Sequence, residues 1–358
     1  MTCINIGNSS IGLDHPTYFI ADIAANHDNK LERALELIEQ CAEAGANAAK
    51  FQNFKASTIV SNHGFNALSN LKSHQSTWKE SVYEIYDQAS LSLEWTSHLK
   101  EKCDACGIDY FTAPYDLSFV DELDPFVCAW KVGSGDITWI HLIEKLSMSV
   151  KPLLIATGAS SMADVRIAMD IAGKNTKNIV LMQCNTNYTG SLENFKHINL
   201  NVLKKYQEEF PNVVLGLSDH TPGHSTVLGA ITLGARVIEK HFTDDKMREG
   251  PDHKFSMDPS SWSEMITKSR ELENALGDGI KKVEENELET FILQRRAMRA
   301  ISNLPSGTLL TTENIIPLRP CPNEGVDPSR CFELIGRVLN RDIDKGELIK
   351  VSDSLEIT

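Results

Sequence analysis

Eight short apolar runs recur along this 358-residue chain, separated by stretches of helical periodicity, and that alternation limits the folds open to it. The runs are Tyr18–Ala24, Ala46–Gln52, Ile108–Thr112, Phe126–Val132, Pro152–Thr157, Asn178–Cys184, Val213–Ser218 and Arg236–His241. Helix candidates between them include Lys30–Ala44, with Leu31, Ala34, Leu35 and Ile38 spaced for one face and Gly45 to close it. Leu93–Cys106, Met162–Ala172, Leu200–Phe210 and Gly223–Leu233 follow the same pattern. Strands that alternate with helices form parallel βαβ units, and eight such units can close into a (β/α)8 barrel, the TIM-barrel fold. A doubly wound open sheet is the alternative. The barrel is favoured because no GxGxxG follows the first run and polar residues gather at several strand ends.

The chain exceeds the roughly 250 residues of one barrel, which leaves room for a small module. Residues 1–280 read as the barrel. The charged helical stretch Lys281–Arg296 reads as a connector within a linker of 281–299. Residues 300–358 change character, with short β-like pieces among Pro305, Gly307, Pro317, Pro320, Pro322, Pro328, Gly336 and Gly346, and read as a compact β-rich domain. One long excursion, Ser57–Ser90, holds no clear strand and carries Asn62, His63, Gly64, His74, Trp78 and Tyr83. It reads as a βα loop over the top of the barrel, where active-site lids lie.

A formal charge of −14, from 35 basic and 49 acidic residues, argues against a nucleic-acid surface. It also means that an anionic substrate must meet locally concentrated cations. The eight cysteines form no paired CxxC motifs; Cys103 and Cys106, the nearest approach to one, read as small buried side chains in a reducing compartment. No apolar signal core and no membrane-length run is evident, so a cytoplasmic location and no membrane partner are expected.

In a barrel, function belongs at the C-terminal ends of the strands. Those ends read Asp22; Lys50 with Gln52; Thr112; Lys131 followed by Gly133-Ser134-Gly135-Asp136; Thr157-Gly158; Asn185-Thr186; Ser218-Asp219-His220; and Glu239 with His241. A strand covered on both faces should be apolar nearly throughout, so these residues need another reason. Strand periodicity puts Lys50 with Gln52, and Glu239 with His241, on one side of their strands. Lys50 and Lys131 would hold a dianionic ligand, with hydroxyls from Ser134, Thr157, Thr186 and Ser218. The alternative is pairing with carboxylates such as Glu239. His220 and His241 end consecutive strands. Each alone reads as a core histidine, but together they suit a divalent metal with open positions. His27 and His74 could line the same mouth.

The ordered runs ADIAANHD, KFQNFKA, KVGSGD, ATGAS, QCNTNY, GLSDHT and EKHFT resemble the sialic acid synthase family, the N-acetylneuraminate and related nonulosonate synthases. RPCPNEGVDP and RVLNRDIDKGE resemble that family's C-terminal SAF, or antifreeze-like, domain. The resemblance implies a transferase that condenses phosphoenolpyruvate with an amino-sugar aldehyde and works as a domain-exchanged homodimer. It implies that Lys50, Gln52, Thr112, Lys131, Ser134, Thr186 and Ser218 hold phosphoenolpyruvate, and that His220 and His241 hold Mn2+, or else Mg2+ or Co2+. Asp22 and Asp136 match catalytic carboxylates, with Lys131 beside them. Tyr188 and Asp252 would face the sugar, and Arg319 would reach into the partner subunit's site. The family commonly has Glu at the positions of Asp22 and Asp136, so both carboxylates here are withdrawn by about 1.5 Å. The acceptor stays open among mannosamine derivatives, diamino sugars and a phosphorylated hexosamine, with the Ser57–Ser90 excursion as the expected determinant.

Two other readings remain at this level. A strand-end lysine is also the signature of a Schiff-base aldolase using pyruvate. The antifreeze-like tail alone would allow a non-catalytic carbohydrate-binding protein.

Overall fold

A computed structural model of the chain describes residues 2–67 and 80–357. It divides into two compact units, Met1–Gly277 and Asp278–Thr358.

The first unit is a closed barrel of eight parallel strands: β3 (Tyr18–Asp22), β4 (Ala48–Asn53), β5 (Asp109–Pro114), β6 (Trp130–Val132), β7 (Leu153–Ala156), β8 (Ile179–Cys184), β9 (Val214–Asp219) and β10 (Ala235–His241). They neighbour one another in chain order, and β10 pairs with β3 to close the ring. Each expected run holds one strand, with ends moved by a few residues. The largest change is at β6, where Phe126–Ala129 lie outside the strand and Val127 is buried in the irregular stretch leading into it. The strands are buried almost throughout, as both faces of a barrel strand require.

The helices form because their apolar positions recur at helical spacing and their ends are capped. Leu31–Glu43 buries Ala34, Leu37, Ile38 and Cys41 against the strands. Met162–Asn175 starts at a capping box in which Ser161 and Asp164 satisfy each other's backbone N–H groups. Pro259–Leu276 has Asp258 as its cap and a proline in its first turn. A feature absent from the sequence reading is the antiparallel hairpin of β1 (Ile4–Ile6) and β2 (Ser9–Ile11). Its Ile4, Ile6 and Ile11 join the barrel core, and Gly7 passes so close to Asp109, at the N-terminal end of β5, that no side chain fits there.

The Ser57–Ser90 excursion is helical where it is described: Ala56–Ile59, Asn62–Ala67 and Val82–Ala89, the last begun by a Ser81–Glu84 capping box. His74 and Trp78 lie outside the described residues.

The second unit has its own core, built from Met298, Ala300, Leu304, Leu310, Ile315, Val326, Leu334, Leu339, Ile343 and Ile349. Two small antiparallel sheets frame it, β11 (Ala297–Ala300) with β12 (Ile315–Leu318), and β13 (Val338–Leu339) with β14 (Ser354–Leu355). Because this unit begins at Asp278, it takes in the whole of the expected linker 281–299, and β11 starts within that stretch at Ala297. The stretch before it folds as a single turn over Glu285–Glu287 and a helix over Leu288–Gln294. No helix among the described residues is long and apolar enough to cross a membrane, and all eight cysteines are free thiols.

Candidate active site

At the C-terminal ends of the strands four charged side chains meet in a space closed to water. Lys50, Lys131, Asp22 and Glu239 are each at most 3% exposed. Lys50 Nζ lies 2.7 Å from Asp22 Oδ2 and 3.4 Å from Glu239 Oε1, and Lys131 Nζ donates to Glu239 Oε1 at 3.0 Å. Ser218 Oγ donates to the same Glu239 oxygen at 3.1 Å, and Gln52 Nε2 donates to Asp22 Oδ2 at 3.1 Å. The backbone N–H of Ala24 holds the other Asp22 oxygen. The strand register sets these meetings: Asp22 stands beside Lys50 and His241, and Ser218 beside Glu239.

Glu239 is the hub of this group, although the sequence assigned it no role beyond a counter-charge for the lysines. Burial opposes its ionisation, yet Lys131 and Lys50 hold its carboxyl down to about 2. Burial likewise works against a charge on Lys50, and the Asp22 and Glu239 carboxylates outweigh it, raising its affinity for the proton. Burial pushes the Asp22 carboxyl up, with Lys50 acting the other way.

The outward side of the same strands carries a second buried pair. Lys240 alternates with Glu239 and His241 and so points away from the barrel axis. Its Nζ donates to Asp219 Oδ2 and to the carbonyl of Thr221, each at 2.6 Å. Asp219 also accepts from the hydroxyls of Thr221 and Thr226. This knot fixes the turn that carries His220. Period-two alternation could have found it, because an outward lysine in a covered strand needs an acid at the matching position next door.

His220 and His241 stand side by side, with ring centroids 5.3 Å apart. His220 Nδ1 lies 2.9 Å from the Asn185 carbonyl, an acceptor only, so the proton sits on Nδ1 and Nε2 keeps its lone pair. Burial lowers His220 to about 3 and His241 to about 4, leaving both imidazoles neutral at ordinary pH. His241 Nδ1 is buried with no hydrogen-bond partner. Two neutral ring nitrogens, one of them unsatisfied, fit a divalent ion whose remaining positions go to substrate or water. Among the described residues no group of three or more His, Cys, Asp or Glu has metal-binding spacing.

Beside these groups opens a cavity of about 320 Å3, bordered among the described residues by Gln52, Ser134, Asp136, Tyr188, His241 and Asp252 on its polar side. Tyr188 packs edge-on against His220, at 4.4 Å between centroids. Asp252 Oδ2 accepts from the N–H of Ala25, and burial pushes its carboxyl up. Asp136 differs from Asp22. Its Oδ2 is buried without a partner, and burial alone lifts its carboxyl to about 6. Ser134 Oγ accepts from the N–H of Gly158, where a Cβ would sit 2.5 Å from the Thr186 methyl carbon, so only glycine fits. Gly133 is constrained in the same way by Tyr115.

Not every expected residue joins this group. Thr157 donates to the Met182 carbonyl and accepts from the Tyr206 hydroxyl on the helix Val202–Glu209, so its hydroxyl is turned to the helix layer. The Thr112 hydroxyl is held by the Phe51 carbonyl and Asn53 Oδ1. His27 is packed edge-on against Trp95 and is not among the residues found around the cavity. Arg319 is an exposed residue of the second unit.

Comparison with known proteins agrees with this geometry. Residues 37–281 match the NeuB family. An N,N'-diacetyllegionaminic acid synthase of Campylobacter jejuni is 32% identical over 338 residues, covering 93% of this chain and 99% of its own. A pseudaminic acid synthase of the same species is 31% identical over 355 residues, covering 98% and 99%. The crystal structure of an N-acetylneuraminic acid synthetase from Leptospira borgpetersenii, in complex with citrate, superposes with a TM-score of 0.70 at 26% identity, over 81% of this chain and 95% of that one. The chain belongs to the NeuB family.

Proposed function

We propose that this protein is a nonulosonic acid synthase, a transferase that condenses phosphoenolpyruvate with the open-chain aldehyde of an N-acylated amino sugar and releases phosphate. The observation that carries this is the pair of buried, preorganised lysines beside two neutral histidines at the mouth of one barrel. The named activities of the relatives support the same reading.

Lys50 and Lys131 take the phosphate and carboxylate of phosphoenolpyruvate, with Ser218, Ser134, Gln52 and Thr186 around them. Their aim is set in advance by Glu239 and Asp22, so little reorganisation remains when substrate arrives. Two lysines against two carboxylates leave the group with no net charge. A further cation is therefore needed to balance a multiply charged substrate, and His220 with His241 are the residues to hold it. When bound there, a divalent ion such as Mn2+ would supply Lewis-acid polarisation of the acceptor carbonyl.

C3 of phosphoenolpyruvate forms the new bond to the aldehyde carbon, whose oxygen gains a proton. Water adds to C2, and the C2–O bond breaks, so that phosphate leaves with the bridging oxygen and C2 becomes the ketone. Asp136, ionised above about pH 6 and without a partner, takes the proton of that water. Asp22 is tied to Lys50 and Gln52 and acts by holding them. Tyr188 and Asp252 face the sugar. Arg319 from a second copy, a SAF-like role for the C-terminal unit, a domain-exchanged homodimer and a cytoplasmic location belong to the same proposal; free thiols at all eight cysteines are in keeping with the last.

A Schiff-base aldolase needs a lysine that loses its proton readily, and Lys50 is displaced the other way. The test is incubation with phosphoenolpyruvate, Mn2+ and a panel of N-acylated hexosamines in water enriched in heavy oxygen. A nine-carbon acid carrying solvent oxygen at C2, with unlabelled phosphate, is expected. Label in the phosphate would mean P–O cleavage and would overturn the mechanism.

A further inference from the structure

Tyr115 borders the same cavity as Asp136, Tyr188 and Asp252, and its hydroxyl makes no hydrogen bond with any described residue. Three contacts hold the residue in place. Its backbone N–H donates to the Asn53 carbonyl at 2.9 Å, which carries the pairing of β4 with β5 one residue past Pro114. Its ring packs edge-on against Phe54, at 6.2 Å between centroids. Its hydroxyl end rests on Gly133, where a Cβ would come within 2.5 Å of the phenol oxygen, and Gly133 leads into the turn Ser134–Asp136. Glycine at 133 is therefore what lets the phenol lie at the start of the turn that carries Asp136. Burial pushes the phenol well above its usual range, and the Asp136 carboxylate adds to the effect, so the hydroxyl keeps its proton and stays a donor.

We propose that Tyr115 is a further substrate-binding residue, whose hydroxyl donates a hydrogen bond to an oxygen of the acceptor sugar in the cavity that Asp136 borders. The inference rests on the condensation proposed above. Lys50 and Lys131, which take phosphoenolpyruvate in that reading, are not among the described residues that border the cavity, so the cavity is the acceptor's share of the site. A sugar bound there presents oxygens that need donors. Asp136 and Asp252, when ionised, only accept. The Gln52 amide nitrogen is already turned to Asp22. Tyr115 brings an uncommitted donor to the same cavity. A phenylalanine would fill the same space and keep the packing against Phe54, so the fold has no use for the phenol oxygen, and a ligand does.

The experiment compares wild type with Tyr115→Phe, which removes the oxygen and nothing else. Steady-state kinetics are run with phosphoenolpyruvate, Mn2+, and either N-acetylmannosamine or a 2,4-diacetamido hexose as acceptor. For the sugar that wild type turns over, kcat/KM should fall about two- to tenfold in the variant, the range for one hydrogen bond between neutral groups. KM for phosphoenolpyruvate should not move, and the midpoint of thermal unfolding should stay the same or rise, because no hydrogen bond within the protein is lost. An unchanged kcat/KM for the sugar overturns the inference and leaves the condensation standing. A fall accompanied by a lowered midpoint, or by a raised KM for phosphoenolpyruvate, also overturns it, since the hydroxyl would then serve the fold or the other substrate. Failure of wild type to consume phosphoenolpyruvate with either sugar overturns the condensation itself, and the inference with it.

Discussion

Lys131 and Glu239, 108 residues apart in the chain, meet at 3.0 Å inside the barrel, and both are almost fully buried. Breaking such a pair leaves an uncompensated charge in a dry site. Glu239→Ala should therefore destabilise the barrel by about 3–5 kcal/mol, read as a lowered midpoint of denaturation. Saturating phosphoenolpyruvate should restore more stability to this variant than to wild type, since its anionic groups replace the lost carboxylate. Equal protection of both proteins would argue against phosphoenolpyruvate binding at these lysines. The same carboxyl gives the sign of an acid effect: its folded pKa is depressed, from 4.5 to about 2. The stability it contributes is present above about pH 4.5 and is lost as pH falls toward 2.

Asp136 should show the opposite linkage. Its carboxyl is raised from 3.8 to about 6, so the folded state holds the proton more tightly than the unfolded chain does. Ionising it costs stability progressively between about pH 4 and 6, reaching up to about 3 kcal/mol above that range. Asp136→Asn removes the cost and should make the protein more stable at neutral pH. Turnover should fall by about a hundredfold or more if this group is the base. In wild type, kcat should decline about tenfold per pH unit below pH 6, and the variant's residual rate should lack that limb. A variant both less stable and fully active would refute the assignment.

His220 and His241 are expected to confer Mn2+ binding. Calorimetric titration of the chelator-treated protein should show one site, and His220→Ala or His241→Ala should weaken it by more than about a hundredfold. Product formation should stop on chelation and return with added Mn2+. Full turnover after verified metal removal would refute a catalytic role for the pair.

Thr157 gives a prediction of no effect. Its hydroxyl is committed to Met182 and Tyr206, so Thr157→Val should cost about 1 kcal/mol in stability and leave KM for phosphoenolpyruvate unchanged. Ser218→Ala, by contrast, removes a hydroxyl aimed at the lysine–carboxylate group and should raise that KM. Parallel steady-state kinetics on the two variants separates the roles.

The barrel was legible in the sequence because its strands are buried on both faces, which writes them as continuous apolar runs, and polar residues at their ends then stand out. Lys50 with Gln52, and Glu239 with His241, followed from period-two alternation alone. The hairpin Ile4–Ile11 was not legible, because three-residue strands leave too short a pattern.

What tertiary structure decided is which of the polar residues act together. Alternation says that Lys131 and Glu239 both face inward, but only closure of β10 onto β3 sets Glu239 between Lys131 and Lys50. Asp22 and Asp136 are the same residue type at two strand ends, and the sequence gives no reason to separate them. One lies against a lysine, and the other has no partner and a raised pKa. Charge, proton affinity and hydroxyl direction depend on neighbours across a closed ring, and local periodicity carries no record of them. The sequence by itself therefore determined the eight-stranded barrel and the residue types at its mouth. The fold decided that Glu239 joins the lysines, that Thr157 turns away, and that Asp136 shares a cavity with Tyr188 and Asp252.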